Sequence, residues 1–89
     1  MIEMNLLETL AAFDTYGTLS ASSIHLHISQ PALSRSMQKL EEELGVKLFE
    51  RTKNRMALNS TGKLAASYAR QILNMEKEMT TAVINHDRS

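Results

Sequence analysis

The chain has 89 residues, with ten Lys or Arg balanced by ten Asp or Glu, no cysteine and 43% apolar residues. That length holds one domain with at most an added helix, and the absence of cysteine excludes a disulfide framework or a thiolate metal site, so a reducing compartment is expected. No apolar run approaches the roughly 18 residues of a membrane helix, and the N-terminus lacks a signal peptide's basic-then-apolar layout, so a soluble cytoplasmic protein is expected. With no Trp, two Phe and two Tyr, the core must be filled by leucines and the six methionines, which suits packed helices better than a sheet.

The zero balance is unevenly distributed. Residues 1–28 carry Glu3, Glu8 and Asp14 and no Lys or Arg. Residues 29–63 carry Arg35, Lys39, Lys47, Arg51, Lys53, Arg55 and Lys63 against four glutamates. Basic charge is therefore gathered in the middle of the chain, where a polyanion could use it.

In chain order, residues 4–15 have helical periodicity, with Leu6, Leu10 and Phe13 in a stripe and Leu7 beside it, ending before Gly17. Ser20 is placed to cap a short second helix, with Leu19 before it as a hydrophobic staple. Ile24 and Ile28 would share one side of that helix and Leu26 another. A third helix opens at Ser29, its expected cap, with Pro31 in the first turn where a missing N–H is harmless, and stops at Gly45. Leu33, Met37, Leu40 and Leu44 share its apolar face. Gln30, Ser34, Arg35 and Gln38 occupy the other side, while Glu41, Glu42 and Glu43 are held back to the far end and read as a solvated tip. Short donors and acceptors at the near end are the kind that fit a nucleic-acid groove. Two helices joined so tightly match a helix-turn-helix, at about 19–38.

After Gly45 the period changes. Val46–Thr52 and Met56–Leu58 flank the basic turn Lys53-Asn54-Arg55, which reads as a small hairpin leaning on the helices. Such a wing would put Lys53, Asn54 and Arg55 at its tip, free to touch phosphates or a minor groove. From Asn59, a cap, a long helix follows with Leu64, Tyr68, Ile72, Met75, Met79 and Val83 at steps of three or four. A stripe that outreaches its own domain suits pairing with a second copy, the alternative being a helix folded back over the wing. Asn85 to Ser89 are expected to fray.

The blocks Ser29-Gln-Pro-Ala-Leu-Ser-Arg35, Leu40-Glu-Glu-Glu-Leu-Gly45 and Leu48-Phe-Glu-Arg-Thr52, then Asn59 to Gly62 and Tyr68-Ala-Arg-Gln-Ile-Leu73, resemble the amino-terminal domain and linker helix of LysR-type transcriptional regulators. The likeness runs from about Asn5 to Met79. It implies a winged helix-turn-helix domain at 2–59, a linker and dimerisation helix with a tail at 60–89, and a homodimer on double-stranded DNA, with tetramers within reach of a full-length protein. The recognition helix, about 30–44, would enter the major groove and the wing would approach the minor groove. Gln30 and Pro31 would lead the base contacts, with Ser34, Arg35 and Gln38 on the same helix. No cofactor is implied. A small-molecule effector would bind a further C-terminal domain of about 200 residues in such families, which this chain lacks. Three positions depart from the family pattern: Ser22-Ser23 for an Ala-Ala pair, Ile24 for a charged residue, and Asn54 for a wing arginine. Serines would fit the close packing if their hydroxyls bond back to the backbone, and Ile24 would leave an exposed apolar spot. With Asn54, minor-groove insertion would fall to Arg55 or Lys53.

No catalytic constellation is found, and no metal site: His25 and His27, two apart on a helix, point in different directions. Against a DNA-binding module stands one other class, a helical dimerisation module whose helix-turn-helix does not read DNA.

Overall fold

The computed structural model describes residues 1–89 as four helices and one hairpin in the expected order. α1 spans Met4–Tyr16, α2 Leu19–Leu26, α3 Gln30–Leu44, β1 Phe49–Thr52, β2 Arg55–Leu58 and α4 Ser60–Arg88. Leu6, Leu7, Leu10 and Phe13 of α1 meet Leu33, Met37 and Leu40 of α3, Leu48 and Phe49 at the hairpin, and Ala66 and Ala69 of α4 in one core. Phe13 and Phe49 join α1 to the hairpin edge to face, ring centroids 5.7 Å apart.

Local signals fix the element ends, with some corrections. Gly17 ends α1 in the left-handed region (φ 79°), its N–H donating to the Phe13 carbonyl at 2.8 Å. Thr18, not Ser20, caps α2: extended at φ −133°, its hydroxyl accepts from Ala21 N–H at 3.1 Å. Leu19 is therefore the first helical residue, half-buried against the core, and not a staple ahead of the cap. His27 closes α2 in the left-handed region at φ 58°, so Ile28 falls outside the helix and does not stack beside Ile24. Leu26 turns inward, and Ile24 stands 72% exposed, as expected of an apolar residue at a surface position.

Ser22 and Ser23 of α2 are both buried, but they behave differently. Ser23 Oγ donates to the Ser20 carbonyl at 2.9 Å, as expected. Ser22 Oγ has no partner, so its burial lacks the compensating bond the sequence anticipated and costs stability.

α3 starts at Ser29, whose hydroxyl accepts from Ala32 N–H at 3.2 Å, and ends at Gly45 with φ 71°. Leu44, expected on the buried stripe, is exposed. Lys39 already pairs with Glu3, just ahead of α1, so the turn bearing Leu44 lies beyond the end of that helix. Leu48, fully buried, fills this end of the core instead.

The hairpin is antiparallel with Phe49 opposite Leu58 and Arg51 opposite Met56. Its base is fused to α4. Asn59 N–H donates to the Leu48 carbonyl at 2.9 Å and Asn59 Nδ2 to the Lys47 carbonyl at 3.1 Å. Asn59 Oδ1 caps α4 by accepting from Gly62 N–H at 2.7 Å. Gly62 lies against Leu48 and Leu58 of the hairpin, and α4 then runs along α1 with Ala66 and Ala69 in the shared core and Arg70 paired with Asp14 of α1. From Asn74 onward every residue is exposed, which stretches the molecule to 55 Å against 26 and 19 Å across. The expected fraying at Asn85 is not seen, since helix continues to Arg88.

Gly62 is the tightest point of the fold. A Cβ there would stand 2.2 Å from the Leu48 carbonyl oxygen, a backbone atom already hydrogen-bonded to Asn59. Gly62→Ala should therefore lower stability by about 1–3 kcal/mol despite alanine's better helix propensity, read as a drop in the urea midpoint with an unchanged slope.

Candidate nucleic-acid interface

The five positions of α3 proposed from the sequence lie on one side of the helix, but they do not share one environment. Gln30, Pro31, Arg35 and Gln38 are exposed and Ser34 is half-buried. Gln30, Ser34 and Gln38 recur every four residues, about 6 Å per step along the axis. The N-terminal end carries no acid: Gln30 lines a cleft of about 210 Å³ together with Gly17 to Ser20 and with Asn54, Arg55 and Met56 of the hairpin. Gln30 and the wing tip are thus brought to one concavity, with the start of α2 as its third wall. Gln38 lies at the other end, where it lines grooves with Glu41 and Lys47.

The glutamates divide in a way the sequence did not suggest. Glu42 and Glu43 are exposed, matching the solvated tip. Glu41 is not part of it. Its Oε2 accepts from Leu48 N–H at 2.8 Å and from Phe49 N–H at 3.3 Å, so the carboxylate closes the chain between α3 and β1. Two backbone donors with no ladder partner here need an acceptor, and a carboxylate is a strong one. Glu41→Ala should cost about 1–3 kcal/mol, and amide hydrogen exchange at Leu48 and Phe49 should accelerate more than at Leu33 or Leu40.

At the wing, Lys53 sits in the two-residue turn with φ 46°, and Lys53, Asn54 and Arg55 are all exposed. A residue missed by the sequence reading is Arg51. Its Nη2 donates to Ser34 Oγ at 2.7 Å, joining β1 to the polar side of α3. The signal was available in strand alternation: Phe49 and Arg51 share a face, Phe49 is buried, and Arg51 occupies that face where it leaves the core. Arg35, Arg51, Lys53 and Arg55 therefore form the basic side of the molecule, while Lys39 is turned to Glu3.

His25 and His27 are separately occupied. His25 Nδ1 shares a hydrogen bond with Tyr16 Oη at 3.0 Å, their rings tilted with centroids 4.6 Å apart, and His27 is the backbone cap of α2.

The family model of the bacterial regulatory helix-turn-helix protein, lysR family, matches residues 4–63. The chain belongs to the LysR family. Among LysR-family relatives, the transcriptional regulator MetR of Buchnera aphidicola subsp. Schizaphis graminum is 40% identical over 73 residues, 82% of this chain and 23% of that protein. The transcriptional regulator TfdT of Cupriavidus pinatubonensis is 39% identical over 72 residues, 81% of this chain and 32% of that protein. The chain thus spans about a quarter to a third of the length of these relatives. In structure it resembles the CbnR DBD–DNA complex, with TM-score 0.89 and 32% identity over 96% of this chain and 98% of that one. It also resembles the BenM DBD bound to benA site 1 DNA, with TM-score 0.88 and 30% identity over 94% and 98%. The winged helix-turn-helix of the LysR family is thereby the fold of this chain, and no helix in it is long and apolar enough to cross a membrane.

Proposed function

We propose that the chain is the sequence-reading DNA-binding unit of a cytoplasmic transcriptional regulator and acts as a homodimer. The observation that carries this reading is the sorting of one surface. The start of α3, the start of α2 and the wing tip face one cleft with hydrogen-bonding and basic side chains, while the acids lie elsewhere. Gln30 and Pro31 lead the base contacts at the tip of α3 in the major groove, because the first turn of a recognition helix reaches deepest. Ser34 and Arg35 follow one turn later, on phosphate or base edges. Gln38 is the outermost of the set, since its acidic neighbour Glu41 disfavours a phosphate there. Lys53 and Arg55 approach the adjacent backbone or minor groove, and Asn54 adds hydrogen bonds without charge. That this fold resembles CbnR and BenM DBDs solved in complex with DNA supports the DNA-binding reading.

Base and phosphate contacts give separable outcomes. Gln30→Ala or Arg35→Ala should weaken binding to a duplex selected from a random pool by about 1–3 kcal/mol and relax preference at particular base pairs. Lys53→Ala and Arg55→Ala should weaken selected and scrambled duplexes alike and flatten the salt slope by roughly one unit per lost phosphate contact. Equal affinity of wild type for both duplexes would sink the sequence-reading proposal.

Dimerisation rests on α4. Leu64, Tyr68, Ile72, Met75, Met79 and Val83 are between 46% and 64% exposed along one stripe, on a different side of α4 from the buried small residues. Large apolar side chains in a continuous row call for a partner, and a two-fold related copy of the same stripe would bury all six. Ile72→Glu should convert the sedimentation profile at tens of micromolar from dimer to monomer while leaving the helical circular dichroism signal largely in place.

A further inference from the structure

Ser34 and Arg51 form a pair whose chemistry points outward. A serine hydroxyl has one hydrogen to donate and two lone pairs to accept with. Some helix hydroxyls in this molecule donate that hydrogen to a carbonyl about one turn back: Thr9 to Asn5 at 2.8 Å, Thr15 to Ala11 at 3.0 Å, and Thr80 to Glu76 at 3.0 Å. Ser34 makes no such bond. It accepts from Arg51 Nη2 at 2.7 Å, across a separation of seventeen residues. Its hydrogen remains free, one turn along α3 from Gln30 on the same side. Arg51, exposed at the point where β1 leaves the core, has no acceptor atoms and keeps its remaining N–H groups for other partners.

From this geometry we infer that Arg51 is a positioning residue, which fixes Ser34 as a hydrogen-bond donor toward an acceptor on the DNA. The inference rests on the DNA-binding reading above. Apart from one remaining lone pair on Ser34 Oγ the pair offers donors, so its complement is a group of acceptors: phosphate oxygens, or the O6 and N7 edge of guanine. It would disfavour a base edge that presents an amino donor at the same place. The link also couples wing to recognition helix, so that β1 and α3 meet the duplex in one fixed relation.

The test is a double-mutant cycle in the full 89-residue chain, using a duplex selected from a random pool and a scrambled duplex of the same length. In the wild-type background Ser34→Ala should weaken the selected duplex roughly tenfold, consistent with loss of a charge-assisted contact. In an Arg51→Ala background the same substitution should change affinity less than about twofold, because the hydroxyl is no longer held as a donor. If the acceptor is a phosphate, the tenfold loss appears on both duplexes. If it is a base edge, the loss is confined to the selected duplex and moves with the base pair changed. Both side chains lie outside the core, and matched urea midpoints for the four proteins would show that folding is not the cause. An equal loss from Ser34→Ala in both backgrounds overturns the positioning role while leaving DNA binding intact. A wild-type chain that does not distinguish the two duplexes overturns the DNA-reading proposal itself, and this inference with it.

Discussion

Leu48 is the residue through which the elements of this fold are joined. Its side chain is fully buried at the open end of the helical core, and its backbone is held on both sides. The Glu41 carboxylate takes its N–H, and its carbonyl receives the Asn59 N–H while pressing on Gly62. One peptide segment thereby connects the end of α3, the first strand of the wing and the start of α4. A two-stranded hairpin has little stability of its own, so its position must be imposed from outside. Here it is imposed by an acid, an amide and a glycine around one leucine, with Phe49 anchored on Phe13 alongside.

This joint determines the working surface. Because the hairpin base is fixed, the alternation of β1 carries Arg51 to Ser34, and the turn carries Lys53 to Arg55 toward the cleft at Gln30. The same joint holds the Glu41 carboxylate against two backbone donors, at the end of α3 away from the cleft at Gln30. A chain of zero net charge can present a basic face when its acids are spent on structure or placed on other sides. Glu3 is turned to Lys39 and Asp14 to Arg70, and Glu42 and Glu43 crown the far end of α3. Electrostatic attraction over a Debye length depends on this arrangement more than on the sum.

Much of the fold is legible in local chemistry. Gly17, Ser29, Pro31, Gly45 and Asn59 mark boundaries by mechanisms that need only the neighbouring backbone, and each acts where the sequence suggests. Leucine spacing correctly names most of the core. Thr18 as the cap of α2 and His27 as its end are local departures, whereas other discrepancies depend on which element lies across from a residue or on which carbonyl a hydroxyl finds. Leu44 keeps the period of α3 but has no α1 left to face. Glu41 looks like its two acidic neighbours until β1 folds back against it. Ser22 and Ser23 are adjacent and chemically identical, yet the twist of α2 gives only one of them a carbonyl in reach. Arg51 reads as one more wing charge until strand pairing sets its face. For the candidate interface, the α3 residues were accessible from helical phase and the face of Arg51 from strand alternation, whereas their meeting at Ser34 was not, because the two residues are seventeen positions apart across a change of period.

The two faces of α4 express the same division between local pattern and tertiary demand. Small residues allow close approach, Gly62 to the hairpin and Ala66 and Ala69 in the core shared with α1, and this face ends where the domain ends. The large residues keep the helical period well past that point, so their spacing cannot have been set by packing within this domain. A solvated helix extension would need no such stripe, and exposed leucine, isoleucine and methionine there would only raise the tendency to associate. Periodicity that continues beyond its own core therefore implies a surface of matching length, and a second α4 supplies one with the same pitch and the same residues. Pairing through α4 would also set the distance between two copies of α3, and with it the spacing of any pair of DNA half-sites they could occupy together.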